Sequence, residues 1–408
     1  MNSFTNFKNI LIISDSYVPQ KISAAGMIYN LSKEIAGNNI RVVCAFSGIN
    51  KSKIKTKYDM DGIELIQTKF LMGLRNKSLI SRFIFEIGTS VILSIKCFYY
   101  FKKNEKPDLI IWYGPSVFLW MVVKTINFSR KIPVYYILRD IFPDWLISLK
   151  VIKNFFVVSI LKLISYPQYT VSDVIGVESI ENVNYLKNKL KNKNIELLPN
   201  WSSLVSNDKK KIDDKIKINF KQYISKKSQS QIFKTVYIGN SSLAHDYNSA
   251  VNFFNSFNDL NLSVNIFSKN SNFNHINNKL ISQKNWELVN DYNFPFIFSK
   301  MDCGIVALNR LAKTNNIPGK FVSYVQFGLP TICFANIKSS LSKLILAYNC
   351  GIVIDLSENQ NMNKIKFLTF VENFKANRKS LSENALKLFK DNFDSKTIVQ
   401  QILRKNYD

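Results

Sequence analysis

The stretch from Met301 to Ala335 constrains the fold of this 408-residue chain more than any other part of it. Its apolar run Gly304–Leu308 predicts a buried strand, and the apolar run Thr331–Ala335 predicts the next one. Between them, Pro318 indicates the first turn of a helix, because proline is already shaped for that position and needs no N–H there. The stretch therefore predicts a strand–helix–strand unit whose two strands run parallel.

The start of this helix is a candidate anion-binding site. Free backbone N–H groups at a helix N-terminus favour a bound anion, and Lys320 adds a point charge there. A diphosphate is the anion that best fits such a site. The simpler interpretation is one more βαβ unit without a ligand, because most helix N-termini bind nothing.

Length and composition favour two globular domains. The chain is too long for one ordinary domain, and its 46% of hydrophobic residues can build two cores. The five cysteines form no CxxC pair, which predicts buried free thiols in a reducing cytoplasm. Two histidines are too few for a His-based metal site. We expect no signal peptide and no apolar run of the roughly 20 residues that cross a bilayer.

The chain is strongly basic, with 55 Lys and Arg against 29 Asp and Glu and a net charge of +26. Such a surplus favours an anionic partner, which can be nucleic acid, anionic lipid or a phosphorylated substrate. Much of the local charge lies in residues 207–227, which we interpret as an exposed connector. A nucleic-acid arm is the less favoured alternative, because this segment lacks Arg and has few aromatic residues for stacking.

The N-terminal segment predicts a second unit of the same kind. Asn9–Asp15 indicates a strand, Met27–Ala36 a helix and Ile40–Phe46 the next strand, an order that suits a doubly wound sheet. Gly26, near the start of the helix, would let a ligand approach the backbone. The alternative is a tight βα turn without a ligand.

Charged residues follow another predicted strand, Pro133–Leu138. Arg139, Asp140 and Asp144 come directly after it. Side chains in that position lie at the carboxyl edge of a parallel sheet, where ligands bind. The alternative is that they cap the helix that follows.

The apolar, aromatic stretch Ser78–Lys103 has two interpretations that are compatible with each other. It predicts a long core helix of the N-terminal domain, which we favour slightly. It also fits a membrane-surface helix, because cations flank it.

Several of these segments resemble family 4 glycosyltransferases of the GT-B type. Pro318–Tyr324 with Gly328–Pro330 resembles the PSKxxEYxAxGxPV segment of that family. Arg139–Trp145 resembles the xxDLWPES element of bacterial N-acetylhexosamine and fucosamine transferases, and Pro199–Trp201 matches xPNW. The segments that carry the resemblance, in chain order, are Ile10–Gly26, Pro107–Ser116, Arg139–Trp145, Pro199–Asp246 and Asp302–Gly351.

The resemblance implies an α/β chain of the GT-B fold, with two Rossmann-like domains whose parallel sheets face a central cleft. The expected acceptor-side domain is 1–202, with 394–408 crossing back to it. Residues 203–233 would form a basic connector, and 234–393 the nucleotide-sugar-binding domain.

The resemblance also implies site residues. The catalytic candidates are Asp140, which would orient the acceptor or transfer a proton, and His245, which replaces a family Gln. The donor-binding candidates are Gly239, Asn240, Arg310, Gly319, Lys320 and Ser323. The acceptor-binding candidates are Gly26, Arg139 and Asp144. No metal and no cofactor are expected, because Gly239, Asn240 and backbone N–H groups could stabilise the departing diphosphate.

Two features depart from the family pattern or compete with it. The family's Glu-x7-Glu pair, which holds the donor, is replaced by Asn315 and Ser323, so neither of the carboxylates expected at the ribose is present. The triplet Asp59–Asp61 has the D-x-D form that holds a metal–diphosphate in GT-A glycosyltransferases. We interpret it instead as a hairpin turn before an alternating strand.

The implied function is transfer of a hexosyl or N-acetylhexosaminyl-type sugar, with retention, from a nucleotide-diphosphate donor, with a UDP-sugar favoured. The expected acceptor is a lipid-linked oligosaccharide of O-antigen or capsule synthesis, at the inner leaflet. The protein would be cytoplasmic, peripheral to the inner membrane, and without a nucleic-acid partner. One alternative is a catalytically degenerate GT-B protein that binds a nucleotide-sugar or partners another transferase. Another is a basic nucleic-acid binder, suggested by the net charge alone.

Overall fold

The chain forms two compact units in a computed structural model. The N-unit comprises Met1–Ser203 and Asp394–Asp408, and the C-unit comprises Leu204–Phe393. The residues that the structure describes are 7–20, 22–47, 59, 61–68, 79–114, 116–128, 130–148, 152–203, 232–239, 246–257, 260–267, 285–286, 294–309, 317–404 and 407.

The N-unit is built on a seven-stranded parallel sheet in the order β3-β2-β1-β4-β5-β6-β7. Its strands are β1 (Asn9–Ser14), β2 (Arg41–Ser47), β3 (Glu64–Thr68), β4 (Leu109–Tyr113), β5 (Val134–Leu138), β6 (Val174–Val177) and β7 (Asn194–Leu197). The central strands are buried along their whole length, because helices cover both faces of a parallel sheet. This burial explains why they appear in the sequence as continuous apolar runs.

The described part of Met1–Ser203 has seven helices between or beside these strands. They are α1 (Ser23–Ala36), α2 (Leu79–Lys103), α3 (Trp120–Asn127, after a 3₁₀ turn at Val117–Leu119), α4 (Asp144–Ser148), α5 (Phe155–Ser165), α6 (Pro167–Thr170) and α7 (Ile180–Lys189). One face of the sheet packs against α1, and the other against α2, α3 and α7.

The C-unit repeats this plan with a six-stranded parallel sheet in the order β10-β9-β8-β11-β12-β13. Its strands are β8 (Phe233–Ile238), β9 (Leu262–Phe267), β10 (Asn285–Trp286), β11 (Cys303–Ala307), β12 (Thr331–Phe334) and β13 (Gly351–Ile354). Its helices are α8 (Tyr247–Asn255), α9 (Phe294–Phe298), α10 (Gly319–Gln326), α11 (Ser340–Tyr348) and α12 (Gln360–Asn392). Two buried apolar clusters, one on each face, join the helices to the sheet.

A last helix, α13 (Ser395–Leu403), belongs to the N-unit, where its apolar face packs beside α1. Asp394 caps it by accepting from the Lys396 backbone N–H at 3.2 Å. Trp201 lies in the same apolar cluster, and its Nε1 donates to the Met27 carbonyl at 2.8 Å. The chain thus closes the N-unit core with residues that are far apart in sequence.

The strand–helix–strand prediction for the stretch Met301–Ala335 is confirmed, since α10 lies between β11 and β12 and the two strands pair in parallel. A turn is present at Asp59–Asp61, in which Asp59 accepts from the backbone N–H groups of Asp61 and Ile63 at 2.9 and 3.0 Å. The residues just before Asp59 lie outside those that the structure describes, so the hairpin stays a prediction. The strand that follows the turn, β3, pairs in parallel with β2, and its residues alternate in burial.

The expectation that no segment could cross a bilayer also needs correction. Most of α2, from Ser81 to Lys103, is long and apolar enough for a membrane span by length and composition alone. Its residues Leu93, Cys97 and Phe101 are nevertheless buried in the N-unit core, as in the core helix that the sequence favoured. All five cysteines are buried and free, which confirms the prediction of buried free thiols.

Candidate functional site

Each sheet reverses its strand order at one point. In the C-unit, the chain leaves β8 toward β9, and it leaves β11 in the opposite direction toward β12. The carboxyl ends of β8 and β11 therefore flank the topological switch point, where ligands of doubly wound sheets bind. Because α10 follows β11, its N-terminus lies at this edge.

The first turn of α10 has no capping side chain. Pro318 occupies the N-cap with φ −64° and ψ 138°, and no side chain accepts a hydrogen bond there. The helix is held instead by its buried face, in which Phe321, Val322 and Val325 pack into the core. The backbone N–H groups of Gly319 and Lys320 at this end are the kind that bind anions.

Lys320 is the central side chain of this site. Its Nζ donates to the Tyr237 hydroxyl at 2.8 Å and lies 4.0 Å from the centre of the Tyr237 ring. Although part of the Lys320 side chain reaches solvent, desolvation lowers its pKa from 10.5 to about 7. No ion pair forms between Lys320 and a described carboxylate. Among the described residues, no negative charge offsets the desolvation that lowers the pKa of this ammonium.

Gly239 directly follows β8 and lies beside Lys320. It has φ +122°, which side chains rarely adopt, and an added Cβ would lie 3.4 Å from Lys320 Nζ. A side chain at this position would therefore be strained and would also crowd the ammonium group. The structure brings together three of the predicted donor-binding residues, Gly239, Gly319 and Lys320.

Tyr324 fixes α10 relative to β8. Its hydroxyl accepts from the Ile238 backbone N–H at 3.1 Å and lies 3.2 Å from the Val236 carbonyl, to which it donates. The ring needs the space that Gly304 leaves, since a Cβ there would lie 2.3 Å from a Tyr324 ring carbon. This buried contact sets the position of the helix start, and hence of Lys320.

The remaining donor-side predictions have different outcomes. Ser323 donates from Oγ to the Gly319 carbonyl at 3.2 Å, a bond within its own helix. Asn240, His245, Arg310 and Asn315 lie outside the described residues.

The carboxyl edge of the N-unit sheet is acidic. Asp15 follows β1 and Asp140 follows β5, while α2 contributes Glu86 and Arg82. Asp140 retains exposed surface, yet desolvation by the surrounding protein raises the pKa of its carboxyl, and Asp15 adds to this effect. Arg82 opposes it, as does Arg139. The edge therefore holds a carboxyl group that accepts a proton more readily than an ordinary aspartate does.

Glu86 is a second carboxyl group at this edge. Burial is the main cause that raises its pKa, although Arg82 forms an ion pair with it at 2.9 Å. The Ser116 hydroxyl, which follows β4, donates to Glu86 at 3.3 Å. This contact links α2 to the strand ends at the centre of the sheet.

Arg139, predicted to bind the acceptor, makes internal contacts. It is 6% exposed and donates to the carbonyls of Leu198 and Pro199 at 2.7 and 3.3 Å. Its guanidinium also lies 4.9 Å from the Trp201 ring and 3.8 Å from the Glu178 carboxylate, whose pKa burial raises to about 7. These contacts tie the loop after β7 to the end of β5, and the acceptor role of Arg139 stays a prediction.

The other two predicted acceptor-binding residues, Asp144 and Gly26, have different surroundings. Asp144, in the first turn of α4, accepts from the Tyr185 hydroxyl and the Lys189 ammonium at 2.7 Å each, which joins α4 to α7. Gly26 lies in the first turns of α1, where an added Cβ would have no atom within 4 Å. The backbone at Gly26 therefore has the open space that the predicted ligand approach requires.

Sequence reasoning missed Asp15, Glu86, Glu178 and Tyr237. Asp15 and Glu178 each follow a buried strand directly, so the strand-end rule that identified Asp140 would have found both. For Glu86 the sequence contained only a weak indication, which is that Glu86 and Arg82 are charged residues one turn apart in an apolar helix. Tyr237 had none, because it lies in the middle of an apolar run. Among the described residues, no group of three or more His, Cys, Asp or Glu could hold a metal ion.

No family model matches the chain, and no curated protein matches its sequence significantly. Solved structures do match. The sucrose-phosphate synthase of Thermosynechococcus elongatus has a TM-score of 0.67 at 10% identity, over 97% of this chain and 98% of that one. WaaG, a glycosyltransferase involved in lipopolysaccharide biosynthesis, has a TM-score of 0.58 at 14% identity, over the same shares of the two chains. UGT89C1 of Arabidopsis thaliana, complexed with UDP, has a TM-score of 0.52 at 12% identity, again over 97% and 98%.

At identities this low, the likeness concerns the fold. It covers nearly the whole of each chain, and the neighbours include glycosyltransferases of the GT-B type. Together with the two parallel sheets and their alternating helices, it confirms the fold class expected from the sequence: the chain is an α/β protein with the GT-B fold.

Proposed function

We propose that the protein is a glycosyltransferase that transfers a hexosyl or N-acetylhexosaminyl-type sugar from a nucleotide-diphosphate donor to a lipid-linked saccharide. The observation that carries the proposal is the desolvated ammonium of Lys320 beside the uncapped start of α10, at the switch point of the C-unit sheet. UDP in the complex of UGT89C1 supports a UDP-sugar as the donor.

The donor diphosphate would bind at the first turn of α10. The Gly319 and Lys320 backbone N–H groups would donate to phosphate oxygens, and the Lys320 ammonium would add a full charge. Bound phosphate would raise the pKa of Lys320 again, because an opposite charge favours the protonated form. As the sugar leaves, negative charge develops on the diphosphate, and these fixed donors would stabilise it without reorganisation. We propose that this step needs neither a metal nor a cofactor.

The acceptor hydroxyl would bind to the N-unit, with Asp140 to orient it or to take its proton. A carboxylate whose pKa is raised by desolvation is a better base near neutral pH than an ordinary aspartate. Retention of anomeric configuration is proposed from the resemblance to family 4. The role of WaaG in lipopolysaccharide biosynthesis supports a lipid-linked saccharide of O-antigen or capsule synthesis as the acceptor, and a cytoplasmic site of action.

Calorimetric titration of UDP into the protein tests the donor site. We expect binding by the wild-type chain and a loss of affinity on the order of tenfold or more in Lys320→Ala, since a charge-assisted hydrogen bond contributes roughly 1.5–3 kcal/mol. Lys379→Ala is the matched control, because Lys379 is an exposed lysine of the same unit. Equal affinities in all three proteins would contradict the proposed site.

A second candidate function is a GT-B protein that binds a nucleotide-sugar without transferring it. The Ser323 hydroxyl, where the family has a donor-binding Glu, bonds to its own helix, which favours this candidate. Mass spectrometry of lipid-linked saccharides incubated with the protein and a panel of UDP-, GDP- and dTDP-sugars distinguishes the two. A donor that binds but never appears in product would favour the second candidate.

A further inference from the structure

α5 presents an apolar face to solvent. Phe155, Phe156 and Leu163 are 76%, 77% and 76% exposed, and Ile160 is more than half exposed. Ser165 is the one residue of this helix that is buried. An exposed aromatic cluster of this kind marks an interaction surface, since scattered single apolar residues are normal but adjacent ones are not.

The helix is well formed despite its small buried face. Asn154 caps it, with its side-chain oxygen accepting from the backbone N–H groups of Phe156 and Val157 at 2.9 and 3.2 Å. Short helices are marginal in water without packing, so an accurate cap of this kind helps to hold the apolar face in place.

The sequence on either side of α5 carries charge of one sign. Residues 145–172 contain three lysines and neither Asp nor Glu, and Lys153 and Lys162 are exposed. A second copy of the chain on this face would place lysine opposite lysine with no carboxylate from either helix. Anionic lipid headgroups would neutralise the same lysines while the apolar side chains enter the acyl boundary.

The length of α5 determines how it can meet a bilayer. Its eleven residues span about 16 Å at 1.5 Å per residue, far less than the roughly 30 Å of a hydrocarbon core. The helix therefore cannot cross a membrane, but it has the size and composition of a helix that lies in the plane of the interface.

We propose that α5 is the surface by which the N-unit binds an anionic bilayer. Phe155, Phe156, Ile160 and Leu163 enter the headgroup region, and Lys153 and Lys162 contact lipid phosphates. The inference deepens the proposed function, since it names the surface that holds the protein where a lipid-linked acceptor resides. It does not depend on the donor site in the C-unit.

Co-sedimentation with phosphatidylcholine vesicles, with and without phosphatidylglycerol, tests this surface. We expect the wild-type chain to bind the anionic vesicles, more weakly as salt is added. Phe156→Ser with Leu163→Ser should lower the partition coefficient at least about tenfold, because two exposed apolar side chains lose their insertion. The matched control is Met362→Ser with Ile365→Ser, two residues of α12 that are 66% and 61% exposed; it should bind like wild type.

The proposal would be overturned if the wild-type chain did not bind anionic vesicles, or if the α5 double variant bound them equally well. It would also be overturned if the wild-type chain formed a dimer that binds no vesicles and the α5 double variant did not form that dimer. The last result would assign the surface to a second copy. UDP titration of the α5 variant in the absence of vesicles separates the two proposals. Unchanged UDP affinity with lost vesicle binding locates the defect on α5, whereas a wild-type chain that binds vesicles but no UDP contradicts only the donor site.

Discussion

The carboxyl edges of the two sheets are built by the same topology, but their candidate site residues carry opposite charge. At the C-unit edge, Lys320 is a desolvated cation that lacks a carboxylate partner among the described residues. At the N-unit edge, desolvation raises the pKa values of Asp140 and Glu86. The strand order thus decides where a candidate site lies, whereas the charge of the side chains there decides which ligands it favours. The C-unit edge therefore favours binding of an anion, and the N-unit edge favours binding of a group that can give up a proton.

The largest effect is expected from Asp140→Asn, which removes the proposed base. Turnover should fall on the order of 100-fold or more, with UDP affinity unchanged, because general acid–base groups contribute roughly 10²–10⁴-fold. Steady-state kinetics with a saccharide acceptor, and calorimetry with UDP, measure the two quantities separately.

Glu105→Gln is the matched control for this experiment, because Glu105 contacts Asn9 at the opposite, amino end of the same sheet. It should leave turnover near the wild-type rate. Normal turnover in Asp140→Asn would remove Asp140 from the chemistry and would end the contrast between the two edges.

Arg139→Ala should destabilise the N-unit by about 3–5 kcal/mol, because it leaves Glu178 buried without its cation. Adding Glu178→Gln should recover part of this loss, since the neutral side chain needs no counter-charge. Urea unfolding of the two single variants and the double variant gives the interaction energy. If the changes in the free energy of unfolding simply add, Arg139 and Glu178 do not stabilise each other.

UDP affinity should fall as pH rises above about 7, by up to tenfold per pH unit, because Lys320 must take up a proton when the diphosphate binds. Titration between about pH 7.5 and 9 avoids the ionisation of the terminal phosphate itself, which lies near roughly 6. Lys320→Met should bind more weakly and without this slope. An equal slope in both proteins would assign the proton to another group.

The same lowered pKa has the opposite effect on the ligand-free protein. Above about pH 7 the folded C-unit has lost the Lys320 proton, while the unfolded chain keeps it up to its ordinary pKa of 10.5. This group therefore makes the stability of the free protein rise with pH through that window.

The smallest effect is expected from Ser323→Ala. Its hydroxyl bonds to the Gly319 carbonyl within α10, so the free energy of unfolding should change by less than about 0.5 kcal/mol and UDP affinity should hardly change. A clear loss of UDP affinity would show that Ser323 contacts the donor, as the resemblance implies.

Much of the cluster around Lys320 could be predicted, because several of the residues that form it are close in sequence. Pro318, Gly319 and Lys320 follow one another, and the strand before them is a continuous apolar run. Tyr237 could not be found in this way. It lies 83 positions from Lys320, and its hydroxyl contact depends on how α10 packs on β8.

The N-unit shows what position in the sequence leaves undecided. Arg139 has the right position for a ligand contact, at the end of a buried strand, and the sequence treats it like its neighbour Asp140. The structure separates them, because the guanidinium lies inside, against the Leu198 carbonyl, while Asp140 keeps exposed surface. Position in the sequence predicts that a residue lies at the edge of the sheet. It does not predict whether its side chain is buried in the protein or exposed to solvent.

The sequence by itself determined the α/β class, the parallel strands and the loops at which ligands of such sheets bind. These features follow from local periodicity and from the residues that start and stop helices. Only the tertiary structure decided the desolvation of Lys320, the internal contacts of Arg139 and the exposure of α5. Desolvation and burial arise from all the residues packed around a group, and most of those residues are distant in the chain.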